Sequence, residues 1–285
     1  MRWTPRGRSS DLEDRRGSGG ARGGLSLGRA GGLGLGGILL LFALSLATGQ
    51  DFLSMLDPGG APSMGPPSPA ASSPAEEKMV EFVSFVLDDN QQTWERVLGG
   101  RYQRAKLVLF RDSVNSACGF AEAAAGPFYC PGDQKVYIDL GFYEELRRRF
   151  KAPGDFAQAY VIAHEVGHHV QTLLGVADKV QQFKEANPRQ ANPIQVRMEL
   201  QADCLAGVWA HLNNQIKNRL QPGDVEEGLN AAAQIGDDMI QKQTQGYVVP
   251  ESFTHGSAAQ RVKWFKLGFD TGDPTAHDPF KVDQP

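Results

Sequence analysis

A mostly apolar stretch over residues 160–175, YVIAHEVGHHVQTLLG, constrains the fold more than any other part of the chain. Its length and apolar character, without a proline inside, predict a buried helix, with Asp155 as a starting residue and Gly175 as a stop. Half of the chain's six histidines lie within it, together with a glutamate. Because buried polar side chains need partners, such a helix indicates a functional site rather than plain core.

His164 and His168 of this stretch are four residues apart. On a helix that spacing puts both imidazoles on one face, one turn apart, close enough to hold a single metal ion. Neutral imidazole is a good zinc ligand, and Glu165 has the chemistry of a general base beside such an ion, as in the H-E-x-x-H pattern. His169 lies about 140° round the helix from His164 and is predicted to be structural or exposed.

A second predicted helix offers a third ligand in RMELQADCLAG, residues 197–207. Glu199 and Asp203 share one face of that helix, and their neighbours are mostly apolar, so both carboxylates need a partner. Glu199 is the predicted third zinc ligand. Asp203 is predicted to accept a hydrogen bond from the far ring nitrogen of a ligating histidine. Cys204 is predicted to be a small buried residue rather than a nucleophile.

Three protein ligands leave the fourth position of a tetrahedral zinc to water, whose pKa then falls towards about 7. Glu165 would take the proton of that water, the hydroxide would attack a carbonyl, and the glutamate would return the proton to the leaving amine. His255 lies just before a predicted helix, and two interpretations stay open. It donates a hydrogen bond to the oxyanion of the transition state, or it packs against Trp264 at the helix entry.

The rest of the folded part combines many helices with few strands. Apolar and β-branched residues predict strands over residues 105–114 and 134–140. Helices are predicted over residues 76–98, 142–150, 155–174, 193–215, 224–244 and 257–268, several with capping residues at their starts. This balance indicates an α+β fold that is mostly helical with a small sheet.

The first 75 residues have a different composition. Residues 1–29 hold seven arginines and three acidic residues, while residues 30–48 carry no charge and suffice to cross a bilayer core of about 30 Å. Since basic flanks stay in the cytoplasm, the sequence predicts a basic cytoplasmic segment over 1–29, a transmembrane signal anchor over 30–50, a Pro/Gly/Ser-rich linker over 51–75 and an extracytoplasmic domain over 76–285. A cleaved and secreted form, with Ser45-Leu46-Ala47 as the cleavage site, is the alternative.

The net charge and the cysteines limit the kinds of partner that are expected. The formal net charge is -4 despite the arginine-rich start, so the main body is acidic and no nucleic-acid partner is expected. In an exported domain, Cys118 and Cys130 can form a disulfide across a short loop. The expected partners are therefore a protein or peptide substrate and, through one N-terminal helix, a membrane.

Several motifs of the chain together resemble a known family. HEVGHH followed by ELQAD resembles the gluzincin pattern, H-E-x-x-H with a downstream E-x-x-x-D. With VYIDLGFY, IGDDMIQ and SFTHGSAAQR added, the motifs resemble the bacterial neutral zinc metallopeptidase family of YpfJ-like proteins, over nearly the whole chain. The resemblance implies a zincin-like metallopeptidase domain of the α+β class with a small mixed sheet.

The same resemblance assigns roles to individual residues. It implies zinc as the cofactor, Glu165 as the catalytic acid/base, and His164, His168 and Glu199 as the zinc ligands. It also implies that Asp203 orients His164, and that an edge strand within residues 128–140 binds the substrate backbone by strand addition.

Three functions are compatible with these motifs. The leading one is a membrane-anchored zinc metallopeptidase that hydrolyses peptide bonds by attack of a zinc-bound water activated by Glu165. The second is a non-enzymatic, membrane-tethered zinc protein whose site is structural, or is blocked by the insert over residues 175–192. The third is another zinc hydrolase, such as an amidase acting on cell-wall peptide. A glutamate beside the ligands favours an enzyme, because a structural zinc needs no base.

Overall fold

The structure is a computed structural model in which residues 1–17 and 72–285 are described. These residues belong to one compact unit. The predicted anchor over 30–50, and all but the end of the predicted linker over 51–75, lie outside the described residues. Within the described ranges, no helix is both long enough and apolar enough to cross a bilayer.

Helices dominate the described unit. The α-helices assigned in it are α1 (Pro74–Leu98), α2 (Gly141–Arg148), α3 (Asp155–Leu173), α4 (Val176–Ala186), α5 (Ala191–Lys217), α6 (Asp224–Gln234), α7 (Asp237–Gln245) and α8 (Ala258–Thr271). Its strands are β1 (Leu12–Asp14), β2 (Lys106–Phe110), β3 (Ser113–Ser116), β4 (Gly119–Glu122), β5 (Phe128–Cys130) and β6 (Lys135–Asp139). The predicted α+β class, mostly helical with a small mixed sheet, is confirmed.

Four strands form the main sheet in the order β1–β2–β6–β5. β2 runs parallel to both β1 and β6, whereas β5 runs antiparallel to β6 and forms an edge. The sequence of β2, KLVLF, is apolar and its last four residues are buried, as expected of a strand covered on both faces. β3 and β4 pair with each other in a separate hairpin.

The strand predicted over residues 105–114 is interrupted. β2 ends at Phe110, and Asp112 adopts a positive φ of 60° before β3 begins at Ser113. Aspartate tolerates this left-handed conformation better than most residues. The backbone N–H of Asp112 also donates to the carboxylate of Asp139 at 2.9 Å. The turn therefore splits one predicted strand into two strands that belong to different sheets.

The helix predicted over residues 224–244 is likewise divided, into α6 and α7. Gly236 separates them with an extended backbone (φ −68°, ψ 144°). A side chain at Gly236 would collide with the backbone of Ala258. The interruption places Asp237 at the start of α7, where its carboxylate reaches the loop before α8.

α3 lies at the centre of the helical layer and packs against α1, α5 and α6. α5 in turn crosses α8 at backbone contact. A Cβ on Gly207 would overlap the carbonyl oxygen of Phe265, and one on Gly268 would overlap that of Cys204. Only glycine permits this crossing, which fixes the position of α8 against α5.

The first residues of the chain belong to the same fold. For residues 1–17 this corrects the predicted division into a segment over 1–29 and a domain over 76–285. β1 pairs with β2 in the main sheet, and Met1 is buried. Trp3 packs edge-on against Phe82 of α1, with ring centroids 5.2 Å apart. The segment was predicted to be a separate basic cytoplasmic segment, whereas Arg8 and Arg16 form ion pairs within the unit.

The cysteines behave as predicted. Cys118 and Cys130 are bonded, and their disulfide ties the β3–β4 hairpin to the end of β5. Cys204 is a free, buried thiol, and burial raises its pKa to about 12. A thiol that stays protonated in the core is a packing residue rather than a nucleophile.

Candidate metal centre

Two helices bring the predicted ligands together. α3 carries His164 and His168 one turn apart, and α5 carries Glu199 opposite them. The Nε2 atoms of the two histidines lie 3.2 and 3.3 Å from the Oε2 atom of Glu199. Atoms bonded to a tetrahedral zinc at about 2.0–2.1 Å are themselves about 3.3 Å apart, so these side chains fit a zinc ion.

The close approach of α3 and α5 depends on a small residue between the histidines. Gly167 of α3 faces Ala202 of α5, and a Cβ on Gly167 would lie 3.0 Å from the carbonyl oxygen of Ala202. That distance is tighter than an ordinary contact, so a larger residue would push the helices apart. The three candidate ligands would then separate as well.

Hydrogen bonds at the far ring nitrogens fix both histidine tautomers. Nδ1 of His164 donates to Asp203 at 2.8 Å, as predicted for that aspartate. Nδ1 of His168 donates to the amide oxygen of Gln171 at 2.8 Å. The amide nitrogen of Gln171 is held by the carbonyl of Met198, so its oxygen faces the ring. Both Nε2 atoms are therefore left free to bind a metal.

The carboxylate of Asp203 is held by residues that the sequence reasoning missed. Arg261 of α8 donates to it through Nε at 2.9 Å and Nη2 at 3.0 Å, and Tyr160 of α3 donates to it at 2.5 Å. Asp203 is fully buried, which would raise its pKa, but Arg261 and His164 outweigh burial and lower that pKa to about 2. The aspartate therefore stays ionised. Arg261 is the last residue of the motif SFTHGSAAQR, and that motif could have indicated a role for it in the site.

The charges of the site favour a cation between the ligands. Burial alone would lower the pKa of His164, but Asp203 outweighs it and raises that pKa to about 10. Glu199 likewise raises the pKa of His168 against the effect of burial. The histidines hold the pKa of Glu199 well below its usual range, although burial opposes them. Surroundings that stabilise protonated imidazole rings also favour a bound metal ion. The metal ion and the protons then compete for the same ring nitrogen atoms.

The ligand cluster opens into a cleft of about 670 Å³. Glu165 lines this cleft beside the ligands and is 7% exposed. The cleft walls come from α2, α3, α4 and β5. The predicted insert over residues 175–192 contains α4 and forms one wall, with Asp178 and Lys184 facing the cleft. The insert therefore shapes the cleft and leaves the ligand cluster open to it.

His255 lies on the same cleft, with a side chain 51% exposed. Its Nδ1 is 3.2 Å from Oδ1 of Asp237, and its backbone N–H donates to Oδ2 of the same carboxylate at 2.7 Å. Nε2 is thus the ring nitrogen available to the cleft. Trp264, the other proposed partner of His255, packs instead in an apolar cluster with Leu200 and Cys204. Asp237 was missed, although the motif IGDDMIQ contained it.

His169 faces away from the ligands and is fully buried, so of the two predicted roles it has the structural one. Its Nε2 donates to the carbonyl of Gln103 at 2.6 Å, and its Nδ1 accepts from the hydroxyl of Tyr129 at 3.0 Å. Burial lowers the pKa of His169, so the ring is neutral. It fastens the edge strand β5 to α3.

A second cluster of possible ligands lies at the start of α3. Oxygen atoms of Asp155, Asp224 and Glu227 lie within 4.8 Å of one another. The α-ammonium group of Met1 donates to Asp155 at 2.5 Å and to Asp224 at 3.1 Å. Burial would lower the pKa of this ammonium group, but the two aspartates raise it. This cluster therefore already contains its cation.

The helices and the site define a zincin-like class. One helix carries H-E-x-x-H, a neighbouring helix carries E-x-x-x-D, and the converging side chains open onto a cleft beside a sheet edge. The model of the family described as "Putative neutral zinc metallopeptidase" matches residues 1–280. The chain belongs to this family.

Relatives of the chain agree with that assignment. The Uncharacterized protein YpfJ of Escherichia coli (strain K12) is 47% identical over 289 residues, which cover 98% of this chain and 99% of the relative. The Uncharacterized protein Rv2575 of Mycobacterium tuberculosis (strain ATCC 25618 / H37Rv) is 46% identical over 199 residues, which cover 66% of each chain. No solved structure matches the chain.

Proposed function

We propose that the protein is a zinc-dependent peptidase that hydrolyses peptide bonds of a protein or peptide substrate. One observation carries the proposal: the three candidate ligands and Glu165 line a single open cleft. A structural zinc would be closed by a fourth protein ligand. Among the described residues, the cluster at this point consists of two histidines and one glutamate.

The proposed chemistry divides between the ion and the protein. A bound zinc ion polarises a carbonyl group and makes water acidic enough to lose a proton near neutral pH. His164, His168 and Glu199 hold that ion, and Asp203 fixes the tautomer of His164. Glu165 accepts the proton of the attacking water at its carboxylate and returns it to the nitrogen of the leaving amine. No covalent bond between enzyme and substrate is required.

His255 is proposed to stabilise the oxyanion of the transition state. Its Nδ1 is directed to Asp237, and in the imidazolium form its Nε2–H can donate into the cleft. Asp237 also accepts backbone N–H groups of Thr254 and Gly256, at 2.7 and 3.0 Å. These bonds fix the loop that presents the imidazole, so Asp237 is proposed as a positioning residue.

The substrate backbone is proposed to pair with β5. This strand pairs with β6 on one side, forms the edge of the main sheet and lines the cleft. An edge strand beside an active site offers free backbone groups to an extended peptide. Tyr129 of β5 is anchored to α3 through His169, so the edge is held at a fixed distance from the ligands.

An oxidising compartment is proposed for the enzyme. The Cys118–Cys130 disulfide supports this assignment, because such bonds persist outside the cytoplasm. The predicted extracytoplasmic location of the catalytic domain is thus retained as a proposal.

The test compares zinc content and peptide cleavage in the full chain and three variants. We expect one zinc per chain in the wild type and in Glu165→Gln, and none in His168→Ala. Cleavage of a mixed peptide library should be lost in both variants. Glu226→Gln, an exposed substitution on α6, is the matched control and should keep both properties. Cleavage by Glu165→Gln at the wild-type rate would refute the proposed mechanism.

A further inference from the structure

The N-terminal strand is built into the main sheet. β1 lies beside β2 with Leu12 opposite Leu107 and Asp14 opposite Leu109. The backbone N–H of Leu107 donates to the carbonyl of Asp11 at 2.9 Å, and that of Arg15 donates to the carbonyl of Leu109 at 2.8 Å. Without β1, the buried strand β2 would become an open sheet edge.

Side chains on both sides of β1 fasten it further. Lys106 pairs with Asp11 at 2.8 Å, and Lys135 pairs with Glu13 at 2.7 Å. On the other side Trp3 packs on α1. Residues 1–17 therefore occupy a surface of the domain that matches them in backbone pairing, shape and charge.

Arg16 adds buried ion pairs to this contact. Its side chain is only 3% exposed and forms ion pairs with Asp14 at 2.7 Å, Glu76 at 3.0 Å and Glu77 at 2.9 Å. Undocking of residues 1–17 would therefore remove this arginine from Glu76 and Glu77 at the start of α1. Within the described residues, Arg8 and Arg16 of the predicted basic segment are thus paired with acidic residues of the domain.

The same contacts fix where the chain leaves and re-enters the described unit. Arg16 lies next to the exit at Gly17, and Glu76 and Glu77 lie just after the re-entry at Ser72. The described residues on either side of residues 18–71 are therefore held together by these ion pairs. Neighbouring strands lie about 4.8 Å apart and cannot pair across about 30 Å of hydrocarbon.

We propose that residues 1–17 and 72–285 occupy the same compartment, since the pairing of β1 with β2 holds them together. Cleavage after Ala47 would remove β1, so a secreted form lacking the first 47 residues would lose part of its sheet. The family model matches residues 1–280, a range that includes β1.

The test locates two engineered cysteines in the full chain. Ser10→Cys and Thr244→Cys place single thiols at exposed positions in the N-terminal segment and on α7. Spheroplasts producing each variant are treated with a membrane-impermeant maleimide before and after permeabilisation, with the wild type as the blank. We expect the two positions to behave alike, both labelled or both protected. Labelling of one and protection of the other would overturn the proposal.

A second measurement confirms that the strand is paired in the same material. A zero-length carbodiimide reagent links amines to carboxylates in direct contact, and Lys135 with Glu13 is such a pair. Lys217 with Asp89, at 2.5 Å, is the matched control within the domain. We expect both crosslinks in lysates prepared without detergent. Formation of the Lys217–Asp89 link alone would contradict the proposal.

Discussion

Two clusters of possible metal ligands lie along the same helix, and they differ in what neutralises them. At the start of α3, two aspartates and a glutamate surround the ammonium group of Met1. In its middle, His164 and His168 meet Glu199 beside an open cleft. Both clusters hold three ligand groups within 4.8 Å. Convergence of ligands therefore does not define a metal site; the donor types and the charge already present do.

Metal binding in one variant of each cluster tests this difference most directly. His168→Ala should reduce bound zinc from about one ion per chain to none, and should abolish peptide cleavage. Asp224→Asn should leave zinc content unchanged, because its cluster is neutralised by an ammonium group. Metal analysis of the purified full chains decides the matter. Loss of zinc in Asp224→Asn would show that the first cluster was misassigned.

The next prediction concerns the charge behind the metal ligands. Arg261→Met should destabilise the protein by about 3–5 kcal/mol, because Asp203 would remain buried without its cation. Urea unfolding of the metal-free protein measures the effect without a contribution from bound zinc. Arg261→Lys, which keeps one positive charge, should lose less. An unchanged midpoint in Arg261→Met would mean that His164 and Tyr160 suffice to satisfy Asp203.

A smaller effect is expected at the start of α3. Asp224→Asn removes a buried carboxylate from the ammonium group of Met1 and should lower the free energy of unfolding by about 1–2 kcal/mol. Glu226→Gln lies in the same turn of α6 but is exposed, so it should change stability by less than about 0.5 kcal/mol. Equal midpoints in thermal unfolding for the two variants would argue against the Met1 contact.

The smallest effect depends on pH and probes the N-terminal strand. Hydrogen bonds from Arg16 lower the pKa of Asp14 from 3.8 to about 2. A lowered pKa in the folded state adds stability that is complete above the unfolded value and vanishes as pH falls through the folded value. The wild type should therefore exceed Asp14→Asn by about 1 kcal/mol near pH 6, after allowance for solvent screening.

That difference should fade between about pH 4 and about pH 2, where Asp14 takes up its proton. Urea unfolding at a series of pH values measures it. Asp178→Asn, an exposed substitution on α4, serves as the control and should show no such dependence. A difference that grows towards low pH would contradict the assigned ion pair.

The predictable part of the site depends on spacing within single helices. His164, Glu165 and His168 could be placed together because residues three or four apart share a helix face. The pairing of Glu199 with Asp203 on a second helix was predictable in the same way. The contact between those two helices was inferred from chemistry, because buried carboxylates need partners and zinc needs a third ligand, and the family resemblance implied the same ligand. The α+β class followed from the balance of helix and strand patterns.

The unpredicted part depends on contacts between distant parts of the chain. Arg261 and Asp203 are separated by 58 residues, and Met1 and Asp224 by 223. No local sequence pattern indicates contacts between residues so far apart along the chain. The ion pairs of Arg8 and Arg16 with Glu77 were missed for the same reason, because their partner lies far along the chain. The breaks at Asp112 and Gly236 likewise depend on neighbours from other elements, Asp139 and Ala258.

The crossing of α5 and α8 also determines how late in its own synthesis the chain can complete the candidate metal centre. Arg261 reaches Asp203 only after α8 has docked through Gly207 and Gly268. A growing chain on the ribosome already contains H-E-x-x-H and E-x-x-x-D about sixty residues before Arg261 is added. Until then the buried aspartate lacks its cation. The candidate metal centre therefore becomes complete only when most of the chain has been synthesised.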